Sequence, residues 1–221
     1  MVTGIKAISQ GISKNTSLES LNVKGNIIGD QGMIMLAQSL RLAPNLKELD
    51  VSLNEVGPNG FQELCNVLPF TNISNLICNK NFLGDEVLSL FAQMITSENG
   101  QGPASKLKKF DFSSCRLNDA GLLYVINALQ NNKLISHIKL ADNFFSESIE
   151  AIMLEILNKN TTLIDACLTG NRFSHSCLSK IKKVTNRNIK MIEEQEPNKL
   201  KAEIYRLRYE HGKLEAAKKM L

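Results

Sequence analysis

One motif, written six times, limits what this chain can fold into. The stretch Leu18-Glu-Ser-Leu21-Asn-Val23-Lys-Gly-Asn26 reads L-x-x-L-x-V-x-x-N, and the same register returns ending at Asn54, Asn81, Cys115, Asn143 and Asn171. The steps between these anchors are 28, 27, 34, 28 and 28 residues. The L-x-L portion alternates with period two, which predicts a short strand. Six, ten and fourteen residues after the anchors come sets such as Gly32/Leu36/Leu40, Val87/Phe91/Ile95 and Cys177/Ile181/Thr185. Four-residue spacing places such side chains on one face of a helix. Each unit is therefore strand, turn and helix, and its apolar side chains can be buried only against neighbouring units.

These units are identified as leucine-rich repeats. The period, the helix and the exchange of Asn for Cys at the anchor resemble the ribonuclease-inhibitor class, over residues 4–188. The resemblance implies an α/β horseshoe with a parallel sheet on the concave side and helices on the convex side. It leaves chemistry open, because a fold does not fix a function. The anchor Asn side chains are expected to form a structural ladder that satisfies backbone groups at each turn. Cys115 enters that ladder as a small, buried, weak donor.

The pattern breaks in three places. Gly4, Ile8 and Ile12 fall on the helix positions of a unit whose strand and anchor are missing, so the repeat domain is assigned to residues 1–188 with a partial first repeat. No polar capping unit is visible at either end, and a piece of a longer protein is expected. The long step of 34 comes from a Gly, Pro and Ser-containing loop over residues 96–106. After Arg187 the repeat stops, Pro197 breaks any helix, and residues 189–221 are read as a helical segment. Its seam is Leu200, Ile204, Leu207, His211, Leu214, Lys218 and Leu221, in steps of 4 and 3. That spacing predicts a coiled coil that dimerises or tethers the chain, the rival being a helix folded back as a solenoid cap.

Chemistry is scarce. Five cysteines, an odd number with no C-x-x-C pair, predict neither a disulfide framework nor a zinc site and favour a reducing, cytoplasmic setting. Three Asn-x-Ser/Thr triplets, at Asn15, Asn72 and Asn160, are read as chance. No run approaches the ~20 apolar residues of a membrane helix. No phosphate loop, nucleophile elbow or paired metal-binding histidines occur, so no enzyme activity, cofactor, metal or small-molecule substrate is expected. The net charge of +4 resides in residues 197–221, whose seven Lys/Arg are diluted by three Glu. Nucleic acid and membrane partners are not expected from a mixed-sign helix of this kind.

The remaining expectation is a protein partner on the exposed sheet face. The outward positions of the strands and the turn beside them give Glu48, Asp50, Leu53, Asn75, Ile77, Lys109, Asp111, His137 and Lys139. The order of parts is similar to the repeat-plus-coiled-coil proteins of centrosomes, basal bodies and axonemes, which implies a non-enzymatic cytoskeletal scaffold. Two other resemblances stay open: Ran GTPase-activating proteins, whose tail is acidic where this one is basic, and the actin-end binder tropomodulin. Innate-sensor horseshoes rank last, because their repeats normally end the chain.

Overall fold

The computed structural model describes residues 2–96 and 106–195. Six three-residue strands, β1 (Ser20–Asn22), β2 (Glu48–Asp50), β3 (Asn75–Ile77), β4 (Lys109–Asp111), β5 (His137–Lys139) and β6 (Asp165–Cys167), pair in chain order as one parallel sheet. Among the described residues seven α-helices alternate with them: α1 (Val2–Ile12), α2 (Gly29–Leu40), α3 (Pro58–Val67), α4 (Asp85–Ile95), α5 (Asp119–Asn131), α6 (Glu150–Lys159) and α7 (His175–Gln195). The chain is thus an α/β leucine-rich repeat solenoid, as the repeat register implies. Neighbouring strands stand about 4.8 Å apart and packed helices about 8–10 Å apart, so the sheet takes the inside of the curve.

The central residue of each strand points into the core. Leu49, Leu76, Phe110 and Ile138 are buried and stand in one register, with Leu21 and Ala166 half-covered at the two ends. The helix positions meet them from the other side. Low aromatic content does not leave the core purely aliphatic: Phe61, Phe91, Phe110 and Phe112 form one cluster of edge-on and tilted pairs with ring centroids 4.8–6.1 Å apart. Such pairs add about 0.5–1.5 kcal/mol each beyond burial. The cluster joins the second unit through Phe61, the third through Phe91 and the fourth through Phe110 and Phe112.

The anchor residues do form a ladder. Asn54 Nδ2 donates to Val23 O of the preceding unit at 2.9 Å and to Val51 O of its own at 3.0 Å. Asn81 and Asn143 repeat the pattern toward Val51 O and Phe112 O, both at 3.0 Å. Each Oδ1 also accepts from the previous anchor, as Asn81 does from Asn54 N–H at 3.1 Å. Cys115 takes its rung with a long Sγ to Cys78 O contact of 3.4 Å.

Both ends depart from expectation. In α1 the buried residues are Ile5, Ser9 and Ile12, while Ile8 is 40% exposed and Gly4 is open. The face turned toward α2 is covered, and the face that would meet its own strand is not. At the other end α7 acts as a cap, carrying Ile189 and Ile192, two apolar residues after the repeat that are half-buried. Arg187 donates to Asn158 O at 2.9 Å and Asn160 O at 2.6 Å, and Asn188 Nδ2 to Leu163 O at 2.9 Å. These bonds satisfy carbonyls at the C-terminal end of α6 and in the segment that leads into β6. The boundary expected at 188 falls inside α7, which is continuous to Gln195. The seam from Leu200 to Leu221 and residues 97–105 of the expected loop lie outside the described residues.

Candidate partner-binding surface

Two rows of side chains cross the outer sheet face. The strand register aligns Ser20, Glu48, Asn75, Lys109, His137 and Asp165 in one row and Asn22, Asp50, Ile77, Asp111, Lys139 and Cys167 in the other. The residues singled out by sequence therefore stand side by side, but they are unequally available. Lys139 is exposed, whereas Glu48, Asp50, Asn75, Ile77, Lys109 and Asp111 are half-buried and His137 is buried. His137 lies down against the sheet, its Nδ1 2.8 Å from Ser136 Oγ.

Several of these groups hold the sheet rather than wait for a ligand. Asp50 Oδ1 accepts from Ser52 N–H at 2.9 Å, Asp111 Oδ1 from Ser113 N–H at 3.0 Å, and Asn22 Oδ1 from Lys24 N–H at 2.9 Å. An Asx side chain that caps its own backbone two residues on terminates a strand. Ser52, beside this row, is fully buried and donates its hydroxyl to Asp50 at 2.6 Å. Across strands, Asn75 donates to Glu48 at 2.9 Å and Asn79 to Asp111 at 3.2 Å.

The more exposed apolar surface lies just beyond the strands. The residue before every anchor adopts positive φ: Gly25, Leu53, Lys80, Ser114, Asp142 and Gly170. Left-handed backbone is costly for a residue with a Cβ, and most so for a bulky one. Leu53 nevertheless occupies this position and is 42% exposed. The residue after the anchor supplies Ile27, Phe82 and Phe144, the last 59% exposed, and the Arg116 guanidinium lies over the Phe82 ring at 4.3 Å. Reading for strand alternation overlooked this row. Lining up the residue after each anchor (Ile27, Glu55, Phe82, Arg116, Phe144, Arg172) would have found it.

The four buried thiols offer little reactivity. Burial pushes Cys65 and Cys78 well above the ordinary thiol range, Cys115 up to about 12 and Cys177 up to about 11. A thiol kept protonated is a poor nucleophile. Among the described residues, no three His, Cys, Asp or Glu side chains are grouped to hold a metal ion, and no helix is long and apolar enough to cross a membrane. What the surface can do is present a rigid arc of polar strand positions, bordered by apolar loop tips.

Comparison with known proteins fits this geometry. The family described as Leucine Rich repeat matches residues 14–37, 43–65 and 104–125. The chain is 25% identical over 184 residues to NACHT, LRR and PYD domains-containing protein 5 of Homo sapiens, covering 82% of this chain and 15% of that protein. It is 27% identical over 174 residues to the ribonuclease inhibitor of Sus scrofa, covering 77% of this chain and 37% of the inhibitor. Two solved structures share the fold at 13% identity. One is actin-binding site 2 of leiomodin-1, with a TM-score of 0.55, covering 91% of this chain and 97% of that one. The other is the tropomodulin C-terminal domain of Caenorhabditis elegans, with a TM-score of 0.52, covering 90% and 99%.

Proposed function

We propose that this leucine-rich repeat solenoid is a non-enzymatic protein-binding module of the cytoskeleton. Its partner docks across the exposed sheet face and the apolar loop tips beside it. The observation that carries the reading is Leu53, a bulky exposed residue held in left-handed backbone next to Asp50 and within the same arc as Phe82. The left-handed turn recurs before every anchor and is imposed by the repeat; Leu53 differs from the other five residues there in placing a large apolar side chain on it in the open. The polar positions Glu48, Asn75, Lys109, Asp111 and Lys139 set register, with Ile77 as an apolar contact and His137 as a largely covered floor. Residues 189–221 supply the tether or dimer contact in this proposal, and centrosome, basal body or axoneme is the address.

Actin is the first partner to test, since one fold neighbour is the actin-binding site 2 of leiomodin-1. The full chain, with and without Leu53→Asp and Phe144→Asp, is sedimented with actin filaments and imaged as a tagged protein in cells. Filament binding, or a discrete cytoskeletal signal, that is weakened by the double variant is expected. A diffuse signal together with no filament binding overturns the cytoskeletal reading.

A further inference from the structure

The two edges of the solenoid differ in charge and in how that charge is engaged. Helix N-termini and strand C-termini share one edge, and there the first-turn aspartates of α2, α4 and α5 are occupied by the next repeat. Asp30 accepts from Gly57 N–H at 2.7 Å and Gly60 N–H at 3.0 Å, Asp85 from Asn118 N–H at 2.9 Å, and Asp119 from Ser146 N–H at 2.8 Å. At the opposite edge the segments joining helix ends to strands carry Lys14, Arg41, Lys47, Lys106, Lys108 and Lys133. Glu19 is the single acidic residue of those segments among the described residues. Cations near helix C-termini are favoured by the helix dipole, which accounts for their placement but leaves their charge facing solvent.

These cations lie along the rim rather than projecting from it. Lys47 Nζ meets Glu19 of the preceding unit at 3.0 Å, Lys106 meets Asn72, and Lys133 Nζ meets Thr161 Oγ1 of the following unit at 3.2 Å. The Arg41 guanidinium covers the Phe70 ring at 4.3 Å. Leu42, Phe70 and Leu134 are exposed between them. The rim ends at a cleft of about 260 Å³ between α6 and α7, where Leu154 and Val184 are ringed by Lys180, Lys183 and Arg187.

The geometry points to this rim and cleft as a docking site for an extended acidic segment of a protein partner, with apolar side chains interspersed among its carboxylates. Charge complementarity selects an acidic partner, and Lys47 and Lys108, standing directly before β2 and β4 two strands apart, leave about 10 Å between cations for an extended chain to span with apolar side chains in between. A bilayer requires apolar tips that project beyond the charges, and a nucleic acid requires open ring faces for its bases. Here the Phe70 ring is capped by Arg41, which serves neither. The inference shares with the proposed function only the premise that the partner is a protein.

The test is fluorescence anisotropy of the full chain with a labelled peptide of repeated Asp-Glu-Leu units, against a Ser-Gly-Leu peptide of equal length. Saturable binding of the acidic peptide is expected. It should weaken roughly tenfold in K47E/K108E/K133E and in K180E/K183E, all exposed positions, and fall steeply with added salt. Leu53→Asp should leave it unchanged, which separates this site from the sheet-face reading. The inference is overturned by equal affinity for the neutral peptide, or by tighter binding to phosphatidylserine vesicles or duplex DNA. Charge-dependent self-association seen by light scattering, in place of peptide binding, overturns it as well.

Discussion

Asp85 and Gly121 are fitted to each other across the α4–α5 contact: a Cβ on Gly121 would stand 2.2 Å from Asp85 Oδ1 and 2.8 Å from Leu88 Cδ1. The carboxylate cannot simply retreat, because the same Oδ1 accepts from Asn118 N–H. Gly121→Ala is therefore expected to destabilise the fold by about 1–3 kcal/mol, the usual cost of overpacking. Gly4 in α1 has nothing within 4 Å of its would-be Cβ. Gly4→Ala should instead stabilise by about 0.5–1 kcal/mol through helix propensity. Urea unfolding of the two variants gives the comparison, and equal signs would refute the fitted contact.

The ladder predicts a gradient of sensitivity along one residue type. Asn81 is fully buried, and its Oδ1 accepts from both Asn54 N–H and Val56 N–H. Asn81→Ala leaves two buried donors unmatched and should cost about 3 kcal/mol or more. Asn26 is exposed and has no earlier anchor to serve. Its Nδ2 reaches only local carbonyls, at Val23 and Lys24. Asn26→Ala should cost about 1 kcal/mol. Equal losses in denaturant unfolding would show that the ladder does not act between units.

Strand alternation and the four-residue helix rhythm made the repeats, the sheet register and the structural role of Asn54, Asn81 and Asn143 legible in the sequence. Both are local periodicities that burial enforces. The rest depends on what a neighbour supplies. Ile8 carries the helix pattern yet stays exposed, because no strand of its own unit lies beneath it. Arg187 and Asn188 look like ordinary polar residues until the free carbonyls of Asn158, Asn160 and Leu163 stand opposite them. On the candidate face, residue type showed which side chains point outward. It did not show that Asp50 and Asp111 are already engaged by Ser52 and Ser113. Asn160 is a further case: as a glycan acceptor triplet it is empty of meaning, but fully buried it donates to Leu129 O at 2.6 Å and closes a turn.

Leu53 offers a separation of stability from binding. Its φ of 55° is a conformation that glycine adopts without penalty, and Gly25 and Gly170 occupy the same position in other units. Leu53→Gly is expected to leave stability unchanged or raise it by up to about 1 kcal/mol, while weakening partner capture. Thermal unfolding paired with filament sedimentation reads both. A marked loss of stability would mean that Leu53 is packing rather than strained, and would remove the observation on which the binding reading rests.

The thiols predict both a labelling pattern and a pH dependence. Cys65, Cys78, Cys115 and Cys177 are buried and Cys167 is half-buried, so one thiol of five should react quickly with an aromatic disulfide reagent in the native protein. The other four should react only after unfolding. Burial raises the Cys177 thiol to about 11 and Cys115 to about 12, whereas unfolded thiols ionise near 8.5. In that interval the unfolded chain releases protons that the native chain retains. The stability contributed by the neutral thiols is therefore full below about pH 8.5 and declines as pH rises toward 11 and beyond. Lysine and tyrosine titrate in the same range, so the informative measurement is the difference between the parent and Cys177→Ala. The variant should lose less stability between pH 8 and pH 10.5 than the parent does. Parallel losses, or rapid labelling of Cys177 at pH 8, would show that this thiol is not held neutral by the packing of α7 on the last repeat.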